Sequence, residues 1–180
     1  MPNPLLVVDV QQCFLNNFTR HIPGRIARLI EAGGFAPVLF TRFLNAPGSG
    51  YRRFLDWHEC DCEPGVELAE ELNQFADPAL IFSKPGYAGI SDELARYLLD
   101  YRFAEITIAG IDTDMCVLKV AMDVFDRGIK PIVLADCCAS TSGLQSHFAG
   151  LAVLARNIGA NQLRDAGLSN GLLGAPEDLT

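Results

Sequence analysis

Three residues with reactive side chains stand where short apolar runs of the sequence end. Asp9 lies near the end of the run LLVVDV, Lys84 closes the run ALIFSK, and Cys116 follows the run EITIAG, in the first turn of a predicted helix. A thiol at a helix start and close to an ammonium group is favoured as the thiolate, so we expect a lowered pKa for Cys116. A carboxylate beside the thiol can accept its proton and later return it to a leaving group. Together these residue types predict a cysteine nucleophile with a base and a cationic partner.

Each of the three residues also has an ordinary structural explanation. Asp9 could cap a turn, Lys84 could be the solvated end of a strand, and Cys116 could be a small buried apolar residue. Asp114, two residues before Cys116, is sufficiently explained as a cap for free N–H groups in the first helical turn. As a set, however, the three favour chemistry, because they come from distant parts of the sequence and could meet in space.

The elements that must position these residues follow from the apolar pattern, in which short continuous runs alternate with stretches of helical period. The predicted strands are 5–10, 37–43, 79–84, 105–110 and 130–136. The predicted helices are 23–34, 64–76, 91–101, 114–128 and 144–159. Ser91 is a predicted N-cap, and Gly33, Gly128 and Gly159 stand where helices end.

This alternation predicts an α/β fold, a three-layer α/β/α sandwich with a mainly parallel, doubly wound sheet. In such a sheet ligands bind beyond the carboxyl ends of the strands, the edge at which Asp9, Lys84 and Cys116 are expected. The segment 45–65 fits neither period and is expected to be a functional loop or lid. The sequence after about residue 160 gives no clear pattern.

Length and composition narrow the class of protein. The 180 residues fit a single domain, 1–180, and a net charge of −8 without long Lys or Arg runs argues against nucleic-acid and membrane partners. No stretch approaches the ~20 apolar residues of a membrane span and no signal-type N-terminus is present, so we expect a cytoplasmic protein. The six cysteines are expected to be free thiols, because a chain of this length can form a core without disulfides.

Three stretches carry a family resemblance: LLVVDVQQCF, FSKPGYAGI and IAGIDTDMCVLKVAMDVFDRGIKPIVLADCCAS. Over roughly residues 4–160 the chain resembles the cysteine hydrolases of the isochorismatase-like superfamily, which include nicotinamidases and N-carbamoylsarcosine amidases. The resemblance implies a catalytic triad of Asp9, Lys84 and Cys116 that works through a thioester intermediate. It also implies a cis peptide bond at Ile111–Asp112, and an oxyanion hole made by the backbone N–H groups of Asp112 and Cys116. Assembly as a homodimer or homotetramer is implied as well.

The chain departs from the metal-using nicotinamidases of this superfamily after the second predicted strand. Those enzymes carry an Asp-x-His pair there and a further His near a Trp, whereas this chain has Asn45 and Ala46, with His58 as the only nearby histidine. The cysteines also lack the CxxC spacing of a structural zinc site. We therefore expect no metal and no cofactor.

The reaction class follows from the retained cysteine. Relatives that cleave a vinyl ether lack it, so Cys116 favours hydrolysis of an amide or related C–N bond in a small-molecule substrate. The alternatives are a catalytically silent α/β binding module and isochorismatase-type hydrolysis of another small metabolite. A thiol redox protein is a third, which the missing CxxC pattern disfavours.

Substrate selection is expected to fall to the segment 44–58 and the mouth of the sheet. Arg42, Arg52 and Arg53 could hold a substrate carboxylate through bidentate hydrogen bonds, although basic loop residues are more often solvated. The aromatic residues Phe14, Trp57 and Tyr87 could form an apolar wall, or could equally be core or interface residues. Cys137 and Cys138 are expected to be packing residues.

Overall fold

The centre of the molecule is one sheet of six parallel strands in the order β3-β2-β1-β4-β5-β6. The computed structural model describes residues 2–87 and 89–168, so the end of the predicted domain, from residue 169, lies outside the described residues. The strands are β1 (Asn3–Val8), β2 (Phe35–Phe43), β3 (Ile81–Lys84), β4 (Glu105–Ile111), β5 (Lys130–Ala139) and β6 (Leu163–Arg164). The predicted doubly wound α/β sandwich is confirmed, because the chain starts at the centre, winds outward to β3 and then winds the other way to β6. The two-residue strand β6 is an addition to the five predicted strands.

A helix lies in each crossover between consecutive strands. The α-helices are α1 (Ile22–Glu31), α2 (Gly50–Leu55), α3 (Asp92–Tyr101), α4 (Leu118–Asp126) and α5 (Leu144–Ile158). Helix α3 begins as predicted, because the Ser91 hydroxyl accepts a hydrogen bond from the backbone N–H of Leu94 at 3.2 Å. Within the described residues, no helix is both long and apolar enough to cross a membrane.

Alternating strand residues divide the core into two layers. Leu5 and Val7 of β1 face α1 and the 3-10 turn Glu70–Phe75, whereas Leu6 and Val8 face α3, α4 and α5. All four side chains are fully buried. Helices therefore cover both faces of the sheet and leave its carboxyl edge accessible.

The predicted helix 64–76 is wrong for most of its length. Only Glu70–Phe75 is helical, and as a 3-10 turn. The preceding residues run alongside the segment after β1, where Gln12 N–H donates to Glu67 O at 2.9 Å and Ala69 N–H donates to Val10 O at 2.9 Å. Backbone groups paired across the chain in this way are not available for helical hydrogen bonds, so tertiary pairing overrides the helical period.

Two further boundaries differ from the prediction. The segment 45–65 contains the short helix α2, which the Ser49 hydroxyl caps by accepting from Arg52 N–H at 3.3 Å. The predicted helix 114–128 begins with a π-helical turn, Thr113–Val117, before α4 starts. In that turn the N–H groups of Met115 and Val117 both donate to Asp112 O, at 3.1 and 3.0 Å. Cys116 therefore lies in an irregular turn and does not occupy the first turn of an α-helix.

Helix α5 packs directly against this turn at Gly150. A Cβ atom at Gly150 would lie 2.8 Å from both the Cα and the N of Asp114, closer than side chains approach a backbone. Gly150 is buried, and α5 reaches the turn because this position has no side chain. The glycine thus fixes how close the helix comes to the segment that carries Cys116.

We predict that Gly150→Ala lowers the free energy of unfolding by ~1–3 kcal/mol, because the added methyl group forces the helix and the turn apart. Gly24→Ala in α1 is the matched control, since nothing lies within 4 Å of a Cβ there. That variant should be unchanged or stabilised by up to ~1 kcal/mol. Urea denaturation of both variants measures the difference, and equal stabilities would contradict the close packing at Gly150.

Candidate active site

Asp9 follows the last residue of β1 and is fully buried at the carboxyl edge of the sheet. The hydroxyl of Thr41, on the neighbouring strand β2, donates to Asp9 Oδ1 at 2.6 Å and accepts from the Asp9 backbone N–H at 3.1 Å. The parallel register that pairs Val8 with Thr41 brings the hydroxyl alongside. Thr41 is a site residue that sequence reasoning missed. Its signal was a hydroxyl near the carboxyl end of a predicted strand.

Lys84 is the last residue of β3, two strands away from β1. Its Nζ lies 2.7 Å from Asp9 Oδ2 and 3.6 Å from Cys116 Sγ, and its side chain is 1% exposed. Burial acts to lower the pKa of Lys84, but Asp9 and Cys116 outweigh burial and the pKa is raised. Lys84 therefore keeps its charge at neutral pH inside the protein.

Cys116 is partly buried and completes the cluster. Burial is the main reason why the pKa of its thiol is raised, and the Asp9 carboxylate raises it further, while Lys84 acts in the lowering direction. The expected lowered pKa is therefore wrong. The physical reason is first that burial disfavours a charged thiolate, and second that Asp9 already balances the charge of Lys84.

The turn before Cys116 is tied to the residues that follow β5. The peptide bond Ile111–Asp112 is cis, as the resemblance implies. The Asp112 carboxylate accepts hydrogen bonds from the backbone N–H and the hydroxyl of Thr141, both at 2.7 Å. Asp114 accepts a hydrogen bond from the Ser140 hydroxyl, so the expected cap of helical N–H groups is wrong for Asp114. The carboxylate and the carbonyl of Asp112 are therefore both engaged within the protein.

A cavity of about 420 Å³ opens beside Cys116. Its walls are largely aromatic: the rings of Phe14 and Trp57 stack with centroids 6.0 Å apart, and those of Tyr51 and Tyr87 lie 4.8 Å apart. Burial and Tyr87 raise the pKa of Tyr51, so its hydroxyl remains a hydrogen-bond donor. The lining residues are Cys13, Phe14, Asn16, Phe43, Tyr51, Leu55, Trp57, Tyr87, Asp112, Met115, Cys116 and Thr141.

The predicted substrate-binding residues divide into two groups. Phe14, Trp57 and Tyr87 line the cavity, as an apolar wall requires. Sequence reasoning missed Tyr51 and Phe43, which complete this wall with ring centroids 5.0 Å apart. Tyr51 directly precedes Arg52 and Arg53 in the sequence, and the signal for its place in the wall was an aromatic residue in the same segment as Trp57.

None of the three arginines of the predicted clamp lines the cavity. Arg42 contacts the Ser83 hydroxyl at 3.3 Å. Arg52 is paired with Asp61 at 2.8 Å. Arg53 lies over the ring of Phe54, 5.0 Å from its centroid. Each arginine thus has a partner within the protein.

The expectation of six free thiols is also wrong. Cys13 and Cys60 form a disulfide, with their Cα atoms 5.5 Å apart, while Cys62, Cys116, Cys137 and Cys138 are free. Cys137 and Cys138 are buried packing residues, as expected. The disulfide joins two segments 47 residues apart in sequence that the fold of the 45–65 segment brings together.

The residues at the positions of the Asp-x-His pair, together with His58, are not arranged to bind a metal ion. Asn45 is buried, and its amide donates to the carbonyls of Trp57 and Glu59 at 3.0 and 2.9 Å while its Oδ1 accepts from the Ser49 hydroxyl at 2.6 Å. The His58 side chain is 58% exposed and pairs with Asp56. Among the described residues, no three His, Cys, Asp or Glu side chains come together as a metal site would require.

A fully parallel α/β/α sandwich with ionisable side chains gathered beyond the carboxyl ends of its strands has the architecture of an enzyme. The model of the isochorismatase domain family matches residues 4–164. The chain therefore belongs to the isochorismatase domain family and is a hydrolase of that type.

Individual relatives agree with this assignment. A nicotinamidase/pyrazinamidase from Mycobacterium tuberculosis is 27% identical over 161 residues, covering 77% of this chain and 87% of that protein. An isochorismatase-like hydrolase from Alkaliphilus metalliredigens superimposes with a TM-score of 0.79 at 19% identity, over 92% of this chain and 96% of that chain. N-carbamoylsarcosine amidase from Thermoplasma acidophilum gives a TM-score of 0.75 at 22% identity, over 95% and 100%. The structural matches establish a shared fold.

We predict that Asp9→Asn speeds alkylation of Cys116 by iodoacetamide at pH 7 at least ~10-fold, because Lys84 then acts on the thiol without an opposing carboxylate. Mass spectrometry of the peptide that contains Cys116 measures the rate. Asp56→Asn is the control, since the Asp56 side chain is 97% exposed and should leave the rate unchanged. A slower Cys116 in Asp9→Asn would contradict the assigned effect of Asp9 on the thiol.

Proposed function

We propose that this protein hydrolyses a small amide, or a related C–N bond, through a cysteine thioester. The observation that carries the proposal is the contact of Lys84 with both Asp9 and Cys116, the last of which lines the cavity. Lys84 Nζ reaches both Asp9 Oδ2, at 2.7 Å, and Cys116 Sγ, at 3.6 Å. A base, a cation and a thiol in contact are the components of nucleophilic catalysis.

In the proposed cycle Asp9 takes the proton of Cys116 as Sγ attacks the amide carbon. The developing oxyanion accepts hydrogen bonds from the backbone N–H groups of Asp112 and Cys116. Asp9 then protonates the departing amine, which leaves a thioester on Cys116. A water molecule, deprotonated by Asp9, hydrolyses the thioester to release the acid and restore the thiol.

The raised pKa of Cys116 suits this sequence of steps. Because the resting thiol is protonated, the proton moves to Asp9 as the bond to carbon forms, and no free thiolate accumulates. Thr41 and Lys84 hold the Asp9 carboxylate from two sides, so its position is fixed before a substrate arrives. Lys84 keeps one positive charge beside the cluster while the negative charge moves between Asp9, Sγ and the oxyanion.

The cavity supports an uncharged acyl group with aromatic or apolar character. Its walls carry the rings of Phe14, Phe43, Tyr51, Trp57 and Tyr87. The three arginines expected to bind a carboxylate are engaged elsewhere, so an anionic acyl group would lose its hydration without gaining a partner. Relatives named as a nicotinamidase/pyrazinamidase and an N-carbamoylsarcosine amidase support amide chemistry on this scaffold.

We predict that Cys116→Ala folds but lowers kcat for amide hydrolysis by at least ~10³-fold, because the members of a catalytic unit fail together. Ammonia release from a panel of primary amides measures turnover, with each aromatic amide paired with a carboxylate-bearing analogue. Cys62→Ala removes a free, exposed thiol and should keep wild-type activity. The carboxylate-bearing amides should be the poorer substrates. Near wild-type turnover by Cys116→Ala would contradict the thioester mechanism.

We also predict that turnover needs no metal ion, because Asn45 and His58 are committed to contacts within the protein. Dialysis against a strong chelator should leave the rate of amide hydrolysis unchanged. The control is addition of zinc, iron or manganese to the dialysed enzyme, which should not raise the rate. A large loss that one of these ions restores would contradict the assignment of Asn45 as a structural residue.

A further inference from the structure

We propose that the Cys13–Cys60 disulfide is a positioning element that holds Phe14 against Trp57 and thereby sets the affinity for aromatic acyl groups. The proposal goes beyond the hydrolysis reaction, because it assigns a redox-sensitive determinant of specificity to residues outside the catalytic cluster. It rests on the proposed function only for the turnover measurement described last.

The disulfide joins the two segments that carry the stacked rings. Cys13 lies in the 3-10 turn Gln12–Phe14, directly before Phe14, and its side chain lines the cavity. Cys60 is 2% exposed and lies three residues after Trp57. The rings of Phe14 and Trp57 are nearly parallel, 12° apart. The sulfur bridge therefore stands beside the stacked pair.

Other contacts fix each segment separately. Cys13 N–H donates to Gly65 O at 3.0 Å, which fixes the first segment to the chain beyond the loop. Asn45 N–H donates to Cys60 O at 2.8 Å, and the Asn45 amide holds the Trp57 carbonyl, so the second segment is tied to the end of β2. Among the hydrogen bonds of the described residues, none joins 12–14 to 45–60. The disulfide and the aromatic contacts connect the two.

Loss of the disulfide would leave the link between the two segments dependent on ring contacts. Aromatic pairs contribute little beyond the area that they bury, whereas the covalent bridge fixes the distance between Phe14 and Trp57. The catalytic cluster has separate supports, because Asp9, Lys84 and Cys116 stand at strand ends and in the turn against α5. Reduction should therefore weaken binding of an aromatic group and leave the reactivity of the thiol largely intact.

The redox step is a thiol–disulfide exchange with a small dithiol such as dithiothreitol. The reagent supplies two electrons and two protons, the S–S bond breaks, and Cys13 and Cys60 become thiols while the reagent closes to a cyclic disulfide. The unreduced, unfolded protein should titrate as four thiols, which are the four free cysteines of the structure. Six thiols in that titration would overturn the proposal.

The test compares two alkylating reagents on the full-length protein, before and after reduction and removal of the dithiol. Iodoacetanilide carries a phenyl group that the aromatic wall can bind, whereas iodoacetamide has no such group. Peptide mapping measures the rate at which each reagent modifies Cys116. The ratio of the iodoacetanilide rate to the iodoacetamide rate is then divided by the same ratio measured with glutathione, which corrects for the intrinsic reactivity of the two reagents. This measurement does not require amide turnover, so its outcome is independent of whether the proposed function is correct.

Reduction should lower the iodoacetanilide to iodoacetamide ratio roughly three- to tenfold, as expected for loss of an ordered aromatic contact. The emission of Trp57, the single tryptophan, should shift to longer wavelength as its ring becomes more exposed to water. Cys60→Ala should show the low ratio with or without dithiol. Cys62→Ala, which removes a free thiol on the same segment, should respond to reduction as the wild type does.

A ratio that stays constant on reduction would overturn the proposal. This includes an equal fall in both rates, which would show that reduction changes the reactivity of the Cys116 thiol and not the binding of the phenyl group. If Cys60→Ala does not fold, reduction of the wild type decides the question. For an aromatic amide substrate, the reduced enzyme should show a raised KM with little change in kcat. A fall in kcat at constant KM would also overturn the proposal, because it would place the disulfide in support of catalysis.

Discussion

The ion pair between Asp9 and Lys84 is the interaction on which the organisation of the site depends. Its two groups are 0% and 1% exposed, and breaking such a pair by removing one partner typically costs ~3–5 kcal/mol. The partners stand on β1 and β3, so the lysine side chain crosses the end of β2, where its Nζ lies 5.7 Å from the centre of the Phe43 ring. Three parallel strands must therefore end at matching heights for the pair to form. The strand order therefore determines whether the ion pair of the site can form.

The same pair explains why the thiol is protonated at rest. An isolated lysine would favour the thiolate, but a lysine already balanced by a carboxylate leaves burial as the dominant effect, and the pKa of Cys116 rises. Asp9 is then both the group that disfavours the thiolate and the group that can take its proton. In the proposed cycle, nucleophile activation is therefore coupled to substrate attack, because the negative charge has a stable position only when it moves on to the oxyanion.

The parts of this structure that the sequence predicts are those set by short-range pattern and by the rules of parallel sheets. The positions of Asp9 and Lys84 follow from apolar runs that end at a shared edge. The 64–76 helix and the Cys13–Cys60 disulfide do not follow, because they depend on how the chain after β2 folds against residues 10–13. The partners of the arginines do not follow either, because contacts such as Arg42 with Ser83 depend on which side chains the fold brings together. The predicted direction of the Cys116 pKa shift is wrong for a related reason. The direction depends on whether Lys84 already has a partner, and only the three-dimensional arrangement decides that.

In the proposed function, chemistry and selection of the acyl group rest on different parts of the chain. The reacting groups are fixed at strand ends and in a turn that Gly150 lets α5 support closely, so they are part of the cooperative core. The aromatic wall is carried largely by the 45–65 segment, with Tyr51 in α2 and Trp57 just after it, and both rings contact Phe43 at the end of β2. Loops tolerate change more readily than the core does. Loop positions of the wall such as Trp57 can consequently change while Asp9 and Lys84 keep the same geometry. Among the described residues, the side-chain contacts of the ion pair are with Thr41, Phe43, Gly86 and Cys116.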